Sequence, residues 1–299
     1  MKHQEPIVRR VLIIGCGLIG TSIGLALRRP GIEVLLEDSS AAARAQAALM
    51  GAGTAPAAGG PRADVVVIAT PPSTVAAVLR DAQARDLGAA YTDVASTKAR
   101  LIAEAEAAGC DLTTFVPGHP MAGRELSGPA GAQAVLFEGR RWALCPGPDT
   151  DPGLVGLVRQ MATLCGGSPI LLGPDAHDQI VAAVSHAPHL VSSAVAARFT
   201  DVGDPALSLV GQGLCDMTRI AAGPSDLWRD ILEHNAERVA AVLEAVAADL
   251  AGAAGALRAE HGPGATALTD LLLRGNRGRA HIVATSPGRA PATAQRAAA

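Results

Sequence analysis

The chain has 299 residues, of which 49% are hydrophobic and 18% charged, and its formal net charge is -3. This length exceeds what one hydrophobic core usually serves, so two domains are expected. The near-neutral charge gives no bias toward nucleic acid or an anionic membrane surface, which leaves a soluble enzyme or binding protein.

The cysteines and the N-terminus indicate the compartment. Five cysteines lie scattered along the chain without a C-x-x-C pair, which favours reduced thiols and predicts neither disulfides nor a metal site. The first ten residues lack the apolar core of a signal peptide, so a cytoplasmic protein without a membrane partner is expected. The uncharged stretch 180–197 has the length of a membrane span, but its histidine, proline and serine residues favour a buried helix.

The first half of the chain alternates short β-branched runs with helical stretches. The predicted strands are 11–14, 33–36, 63–69, 90–93, 141–145 and 169–172, with a helix at 152–165. Such alternation is typical of an α/β fold with a doubly wound, parallel sheet of Rossmann type, which binds ligands at the carboxyl ends of its strands. We therefore predict a dinucleotide-binding domain over residues 1–172.

The second half is rich in alanine and valine with helical periodicity. Helices are predicted at 176–199, 205–222, 225–251 and 265–274. Ser225 or Asp226 is expected to cap the third helix. The apolar faces exceed what one small bundle hides, so residues 173–285 are predicted to form an all-helical substrate and dimerisation domain of a homodimer. The Pro-, Gly- and Arg-rich tail, 286–299, is predicted to be disordered.

A glycine-rich turn follows the first strand and opens a helix. Gly15 makes the tight turn, Gly17 lets the backbone approach a pyrophosphate, and Gly20 lets helix and strand pack closely. Leu18 and Ile19 open the helix, whose N-terminus then faces the phosphates. The alternative is a strand-to-helix turn that binds no ligand.

Two further segments refine the cofactor prediction. Asp38 follows the second strand about 20 residues after the glycines, where a carboxylate binds the ribose 2′-hydroxyl and repels a 2′-phosphate, so NAD is favoured over NADP. Glu37 could share that role, and Arg44 leaves NADP open. The turn after the third strand, with Thr70 and Pro71, is expected to lie beside the pyrophosphate and the nicotinamide ribose.

Four blocks between and beyond these elements carry a resemblance. They are T-D-V-A-S-T-K at 92–98, G-H-P-M-A-G at 118–123, S-H-A-P-H at 185–189, and D-M-T-R-I-A at 216–221 with W-R-D-I at 228–231. Together they resemble the prephenate dehydrogenase family, in family order over roughly residues 10 to 280. The segment 116–128, which holds the second block, reads as a loop too polar and glycine-rich for the core.

The resemblance implies NAD-dependent oxidative decarboxylation of prephenate to 4-hydroxyphenylpyruvate, in tyrosine biosynthesis. His119 then matches the base that takes the C4 hydroxyl proton, and an ordinary histidine pKa of about 6.5 suits that task. Ser96 matches the serine that bonds the hydroxyl or orients the histidine. Considered alone, each of these residues is more often structural.

The resemblance also implies a set of substrate contacts. Arg219 matches the arginine that pairs with a substrate carboxylate, although a pair with Asp216 on the same helix face is the structural alternative. His189 is the stronger substrate contact of the histidine pair, and His186 could instead be a core histidine bonded to backbone. Lys98 could neutralise an anion but is more often solvated at such a position, and Trp228 is expected to pack at the domain junction.

Several alternatives remain open. Arogenate or an amino-substituted prephenate could be the substrate. His119 favours a C4 hydroxyl over a C4 amine, but it does not distinguish a pyruvyl from an alanyl side chain. A 3-hydroxyacid dehydrogenase would need a catalytic lysine in the helical domain, and no lysine follows Lys98. A non-catalytic dinucleotide-binding protein would not need His119, Ser96 and Arg219 together. Because the chain stops near a family segment that often leads into a regulatory ACT domain, we expect no such domain, and no chorismate mutase domain either.

Overall fold

The first half of the chain forms a parallel sheet, whose hydrophobic strands alternate with helices along the sequence. The computed structural model describes residues 7–28, 31–57, 59–124, 126–258 and 264–285. The first four strands are β1 (Arg10–Ile14), β2 (Glu33–Glu37), β3 (Ala63–Ile68) and β4 (Gly88–Asp93), and they pair in the order β2-β1-β3-β4. All pairs are parallel, as the β-α alternation predicts.

Both faces of this sheet are buried, because successive side chains of a strand point to opposite sides. Val11 and Ile13 pack in one core cluster, and Leu12 and Ile14 in the other. The first cluster includes helices α1 (Leu18–Leu27), α2 (Ala41–Leu49) and α5 (Pro152–Leu164), and the second includes α3 (Pro72–Ala84) and α4 (Ala99–Ala107). The predicted fold class is therefore confirmed for the first half.

A second sheet contains a strand that the sequence does not reveal. Its strands are β5 (Gly118–Pro120), β6 (Arg141–Leu144) and β7 (Ser168–Leu171), with β5 antiparallel to β6 and β6 parallel to β7. The prediction that 116–128 is a loop outside the core is therefore wrong for its first part. Residues 116–120 are buried, because Asp93 and β6 satisfy the polar backbone that a loop would expose to water.

The helix that follows β7 runs from Pro174 to Phe199 with a widened turn in the middle. It comprises α6 (Pro174–Val181), a π-helical turn (Ala182–His186), α7 (Ala187–Ala196) and a 3₁₀ turn (Ala197–Phe199). Pro188 lacks the N–H that would continue the α-helical ladder, which is a usual cause of such a turn. The helix is buried on one face only, since Ile180 and Val184 are exposed, so the prediction of a buried helix holds for half of it.

Three predicted helices differ from the observed ones. Residues 205–222 divide into α8 (Asp204–Leu207), α9 (Gln212–Thr218) and a 3₁₀ turn (Arg219–Ala222), because Gly211 adopts an extended conformation between the two helices. Residues 225–251 divide into α10 (Ser225–Glu233) and α11 (Ala236–Arg258). The last helix, α12 (Gly264–Thr285), is longer than predicted. Pro224, not Ser225 or Asp226, is the N-cap of α10, and it offers no side-chain hydrogen bond.

The chain divides into two compact units, Met1–Val239 and Ala240–Ala299. The predicted domain limits at residues 172 and 285 stay predictions, and the tail 286–299 lies outside the described residues. By length and composition alone, Pro174–Phe199 and Ala236–Arg258 could each cross a membrane. The first carries buried histidines on its inner face, as expected of a core helix.

Candidate active site

The glycine turn lies where the sheet order reverses, between β1 and β3. Gly15 has a φ of 107°, and a Cβ there would lie 2.4 Å from the carbonyl oxygen of Ala69, so the turn closes only with glycine. A Cβ on Gly20 would lie 1.9 Å from the Gly15 carbonyl oxygen, which forces close packing of α1 on the strand. Gly17, the N-cap of α1, has no atom within 4 Å of its Cβ position and faces open space. This is the geometry that a pyrophosphate needs.

The backbone around Gly17 remains accessible. Gly17, Leu18 and Ile19 are half-buried, whereas the helix is fully buried from Gly20 to Gly24. An anion placed at the open N-terminus of α1 would therefore meet backbone N–H groups and the positive end of the helix dipole.

Asp38 lies beside the glycine turn. Its Oδ2 accepts a hydrogen bond from the Cys16 N–H at 2.5 Å, and its Oδ1 accepts one from the Ser40 N–H at 2.7 Å. Glu37, the alternative carboxylate, pairs with Arg85 at 2.8 Å and is engaged away from the turn. The half-buried Asp38 is therefore the carboxylate in position to receive a ribose hydroxyl.

The turn after β3 meets the glycine turn from the opposite side. The methyl group of Thr70 lies 3.2 Å from the Cβ position of Gly15, and the Thr70 hydroxyl accepts a hydrogen bond from Thr74 at 2.9 Å. Pro71 is exposed and is the N-cap of α3. Both turns thus border the same opening at the carboxyl ends of the strands.

His119 lies on β5 and is only 8% exposed. Its Nδ1 lies 2.9 Å from Nε2 of His177, on α6. Burial is the largest cause, and the neighbouring basic side chains of His177, Lys98 and His186 add to it, so that the pKa of His119 lies well below the ordinary value of 6.5. The sequence suggested an ordinary pKa for a loop histidine. The structure corrects this, because the residue is buried on a strand and its neutral form is favoured more strongly.

Asp178 anchors the far side of this pair. Its Oδ1 lies 2.8 Å from His177 Nδ1 and accepts a hydrogen bond from the Lys98 N–H, and its Oδ2 accepts one from the Ala99 N–H at the start of α4. Burial acts to raise the pKa of Asp178, but these hydrogen bonds outweigh it and lower the pKa below 3.8. Asp178 is therefore an ionised carboxylate in the protein interior.

Lys98 is buried rather than solvated. Its ammonium group forms an ion pair with Asp93 at the end of β4, and both side chains are 0% exposed. Asp93 also accepts hydrogen bonds from the N–H groups of Ala95 and Gly118, at 2.9 and 3.1 Å. The pair thus joins β4, the following loop and the strand that carries His119, so the expectation of a solvated lysine is wrong.

The two histidines of the S-H-A-P-H block lie on the inner face of the long helix. His186 is fully buried, and its Nδ1 meets the side-chain amide of Asn235 at 3.3 Å, not the backbone. His189 is 5% exposed and stacks on Trp228 with ring centroids 3.5 Å apart. Burial lowers the pKa of both, that of His186 to about 4. His186 Nε2 and His189 Nδ1 are buried without a hydrogen-bond partner in the described structure.

Ser96 and Arg219 are less constrained. Ser96 is half-buried and makes no hydrogen bond to His119, whose Nδ1 is bound by His177 instead. Arg219 is exposed on the 3₁₀ turn after α9. Asp216 bonds Gln212 rather than Arg219, and within the described ranges no acid pairs with the Arg219 guanidinium. The arginine is therefore free to meet an anion.

Sequence reasoning missed His177 and Asp178. They open the helix that also carries His186 and His189, and Asp178, Ala182, His186 and His189 recur at the spacing of one helical face. That recurrence was the available signal, and no motif pointed to it.

A glycine turn shaped for a dinucleotide follows β1, and a buried histidine lies on the strand that bonds the carboxyl end of β4, an arrangement typical of a nucleotide-binding dehydrogenase. Two family models match the chain: the nucleotide-binding domain of prephenate dehydrogenase over residues 23–171, and its dimerization domain over residues 173–270. A probable prephenate dehydrogenase of Streptomyces niveus is 39% identical over 252 residues, which cover 84% of this chain and 69% of the relative. The chain belongs to the prephenate dehydrogenase family.

Solved structures of the family have the same fold. Prephenate dehydrogenase of Aquifex aeolicus, in complex with hydroxyphenyl propionate and NAD⁺, superposes with a TM-score of 0.80 at 27% identity, covering 93% of this chain and all of that one. Arogenate dehydrogenase of Synechocystis reaches a TM-score of 0.72 at 26% identity, covering 92% and 100%. These findings confirm the predicted family, fold class and enzyme class, and the NAD⁺ of the Aquifex complex agrees with the predicted cofactor. The roles of individual residues stay predictions.

Proposed function

We propose that this protein catalyses the NAD-dependent oxidative decarboxylation of prephenate to 4-hydroxyphenylpyruvate, a step toward tyrosine. The observation that carries the proposal is the buried His119, which stays neutral and lies beyond the carboxyl end of the sheet that bears the glycine turn. NAD, when bound, accepts the hydride that leaves C4 of the substrate. Gly15, Gly17, Leu18, Ile19 and Gly20 hold its pyrophosphate, with Thr70 and Pro71 beside it and Asp38 on the ribose.

The side chains around the histidine supply the remaining chemistry. His119 takes the C4 hydroxyl proton, and Ser96 holds that hydroxyl. Arg219 pairs with a substrate carboxylate through its planar guanidinium. His189 and His186 offer buried, unpartnered nitrogen atoms to the polar groups of the substrate.

Arogenate is the second candidate substrate, because the chain resembles the Synechocystis arogenate dehydrogenase almost as well as the Aquifex enzyme. The two substrates differ at the side-chain end, a keto group against an amino group. A steady-state assay of NAD reduction with prephenate and arogenate side by side tests the proposal. We expect a higher kcat/KM with prephenate. A higher value with arogenate would reassign the substrate, and no reduction with either would refute the proposal.

We further propose a cytoplasmic homodimer that buries the helices of the second unit. Leu250, Leu257 and Leu272 are 59%, 72% and 61% exposed, an apolar surface that a second copy would cover. The match to a dimerization domain over residues 173–270 supports this. Light scattering after gel filtration should give twice the mass of the chain. A monomer, or recovery in the membrane fraction, would contradict the proposal.

A further inference from the structure

Behind the proposed base lies a row of three buried side chains, His119, His177 and Asp178. We infer that Asp178 and His177 are positioning residues, which fix His119 in the tautomer whose Nε2 carries no hydrogen and is therefore free to accept the substrate proton. The inference rests on the proposed role of His119 as the base. It adds two residues to the site: His177, which contacts His119, and Asp178, which contacts His177.

The positions of the hydrogens in this row are determined by Asp178, the residue farthest from His119. The oxygens of Asp178 accept backbone hydrogen bonds from Lys98 and Ala99, both at 2.8 Å, and an ionised carboxylate has no hydrogen to donate. His177 Nδ1, 2.8 Å away, must therefore carry the hydrogen and donate it to Asp178. A neutral imidazole has one N–H, so His177 Nε2 is left as an acceptor.

His177 in turn determines which ring nitrogen of His119 carries the hydrogen. Because His177 Nε2 accepts, the hydrogen in the 2.9 Å contact belongs to His119 Nδ1. The Nε2 of neutral His119 is thereby left with its lone pair exposed to the substrate. Without His177, either nitrogen of His119 could carry the hydrogen, and the molecules with Nε2–H would be unable to act as a base.

The row also stabilises the charge that forms during the reaction. As the O–H bond breaks, an N–H bond forms at His119 Nε2, and the hydride that leaves C4 would be taken up by NAD when it is bound. The bond to the ring carboxylate then breaks to release carbon dioxide, and the proton returns to the phenolate oxygen, which regenerates the base. The transient imidazolium donates to His177, which in turn donates to the Asp178 carboxylate.

The other charged and titratable groups near the row do not replace this carboxylate. Lys98 is cationic, and Asp93, the nearby acid, is already paired with it. His186 bears no charge at neutral pH, because burial lowers its pKa to about 4. Asp178 is therefore the anion that offsets the charge on the histidine pair.

Substitution of His177 tests the inference. In His177→Leu, Nδ1–H of His119 loses its acceptor, and we expect kcat to fall about 10²-fold while KM for prephenate and Kd for NAD change little. In His177→Gln, an amide oxygen can take the place of Nε2, and we expect at least about tenfold of kcat to return. His234→Gln is the matched control: it removes a buried histidine elsewhere in the same unit, and its kcat should stay near wild type.

The tautomer itself is measured by ¹⁵N NMR of the histidine rings, with the His119→Asn and His177→Gln proteins used for assignment. We expect the proton of His119 on Nδ1 in the wild type and a mixture of tautomers in His177→Leu. A proton on Nε2 in the wild type, or a His177→Leu enzyme with unchanged kcat, would overturn the inference. If the wild type oxidises neither prephenate nor arogenate, the proposed function fails, and the NMR measurement still decides the tautomer independently.

Discussion

The cofactor turn and the histidine row lie in the same fold but are organised in opposite ways. Around Gly17 the backbone is open, with no atom within 4 Å of its Cβ position. Around His119 the protein itself provides the partners: His177 binds Nδ1 of His119, Asp178 binds His177, and the Lys98 N–H binds Asp178. The turn is therefore open to a ligand, whereas His119, the proposed base, is oriented by contacts within the protein. Damage to one region should leave the function of the other intact.

The largest expected effect follows from removing the base. His119→Asn should lower kcat/KM by roughly 10² to 10⁴, the usual contribution of a positioned general base. The Kd for NAD, measured by calorimetry, should not change, because the turn is untouched. A loss of NAD binding comparable to the loss of rate would show that the two regions are not independent.

The pH profile sharpens the same comparison. Burial disfavours the charged imidazole, so the pKa of His119 is lowered and the neutral base persists down to pH values well below 6.5. The wild-type kcat/KM should therefore stay flat as pH falls to 6.5 and decline only below it. In His119→Asn that acid limb should vanish. A wild-type limb centred at 6.5 or above would contradict the burial of the base.

The buried ion pair between Lys98 and Asp93 stabilises the region around His119. Lys98→Met should lower the free energy of unfolding by about 3 to 5 kcal/mol, because it leaves Asp93 buried without its cation. Arg10→Ala is the control: it breaks the partly exposed pair with Glu33 and should cost about 1 kcal/mol or less. Urea unfolding of both variants measures the difference. Equal losses would mean that the Lys98 pair contributes no more than a surface pair.

Substrate recognition should respond to the exposed arginine. Arg219→Ala removes the proposed partner of a carboxylate and should cost roughly 2 to 5 kcal/mol in kcat/KM for prephenate. The Kd for NAD should again stay constant. Arg229, in a surface pair with Asp226, provides the control substitution to alanine. An unchanged kcat/KM in Arg219→Ala would remove this residue from the site.

The smallest effect is expected at the open turn. Asp38 should favour NAD over NADP, because it accepts a bond from the 2′-hydroxyl and repels a phosphate there. Asp38→Asn should reduce the ratio of kcat/KM values for NAD and NADP by roughly 10- to 100-fold, since a hydrogen bond to a charged group contributes roughly 1.5 to 3 kcal/mol. The pH profile should be unaltered. A wild-type preference for NADP would refute the assignment of Asp38.

Part of this site could be predicted because its signals are local. The Gly15 turn must follow a strand and open a helix, and a carboxylate must follow the next strand, so the pattern is readable within a short stretch. His119, by contrast, was assigned by resemblance and placed in a loop. Its strand is only three residues long, too short for a period-2 pattern, and it exists because β6 pairs with it.

The sequence by itself determined the α/β alternation, the cofactor turn, the family and the candidate residues, because periodicity, glycine positions and motif order are properties of neighbouring residues. Only the tertiary structure decided that Lys98 is buried with Asp93, that helix 225–251 breaks where Asn235 bonds Asp178 and His186, and that His177 lies against His119. Residues 119 and 177 are far apart in the chain, and whether a polar side chain is solvated or paired depends on which distant group meets it. No local sequence pattern encodes the contact between His119 and His177, and the proposed chemistry of His119 depends on that contact.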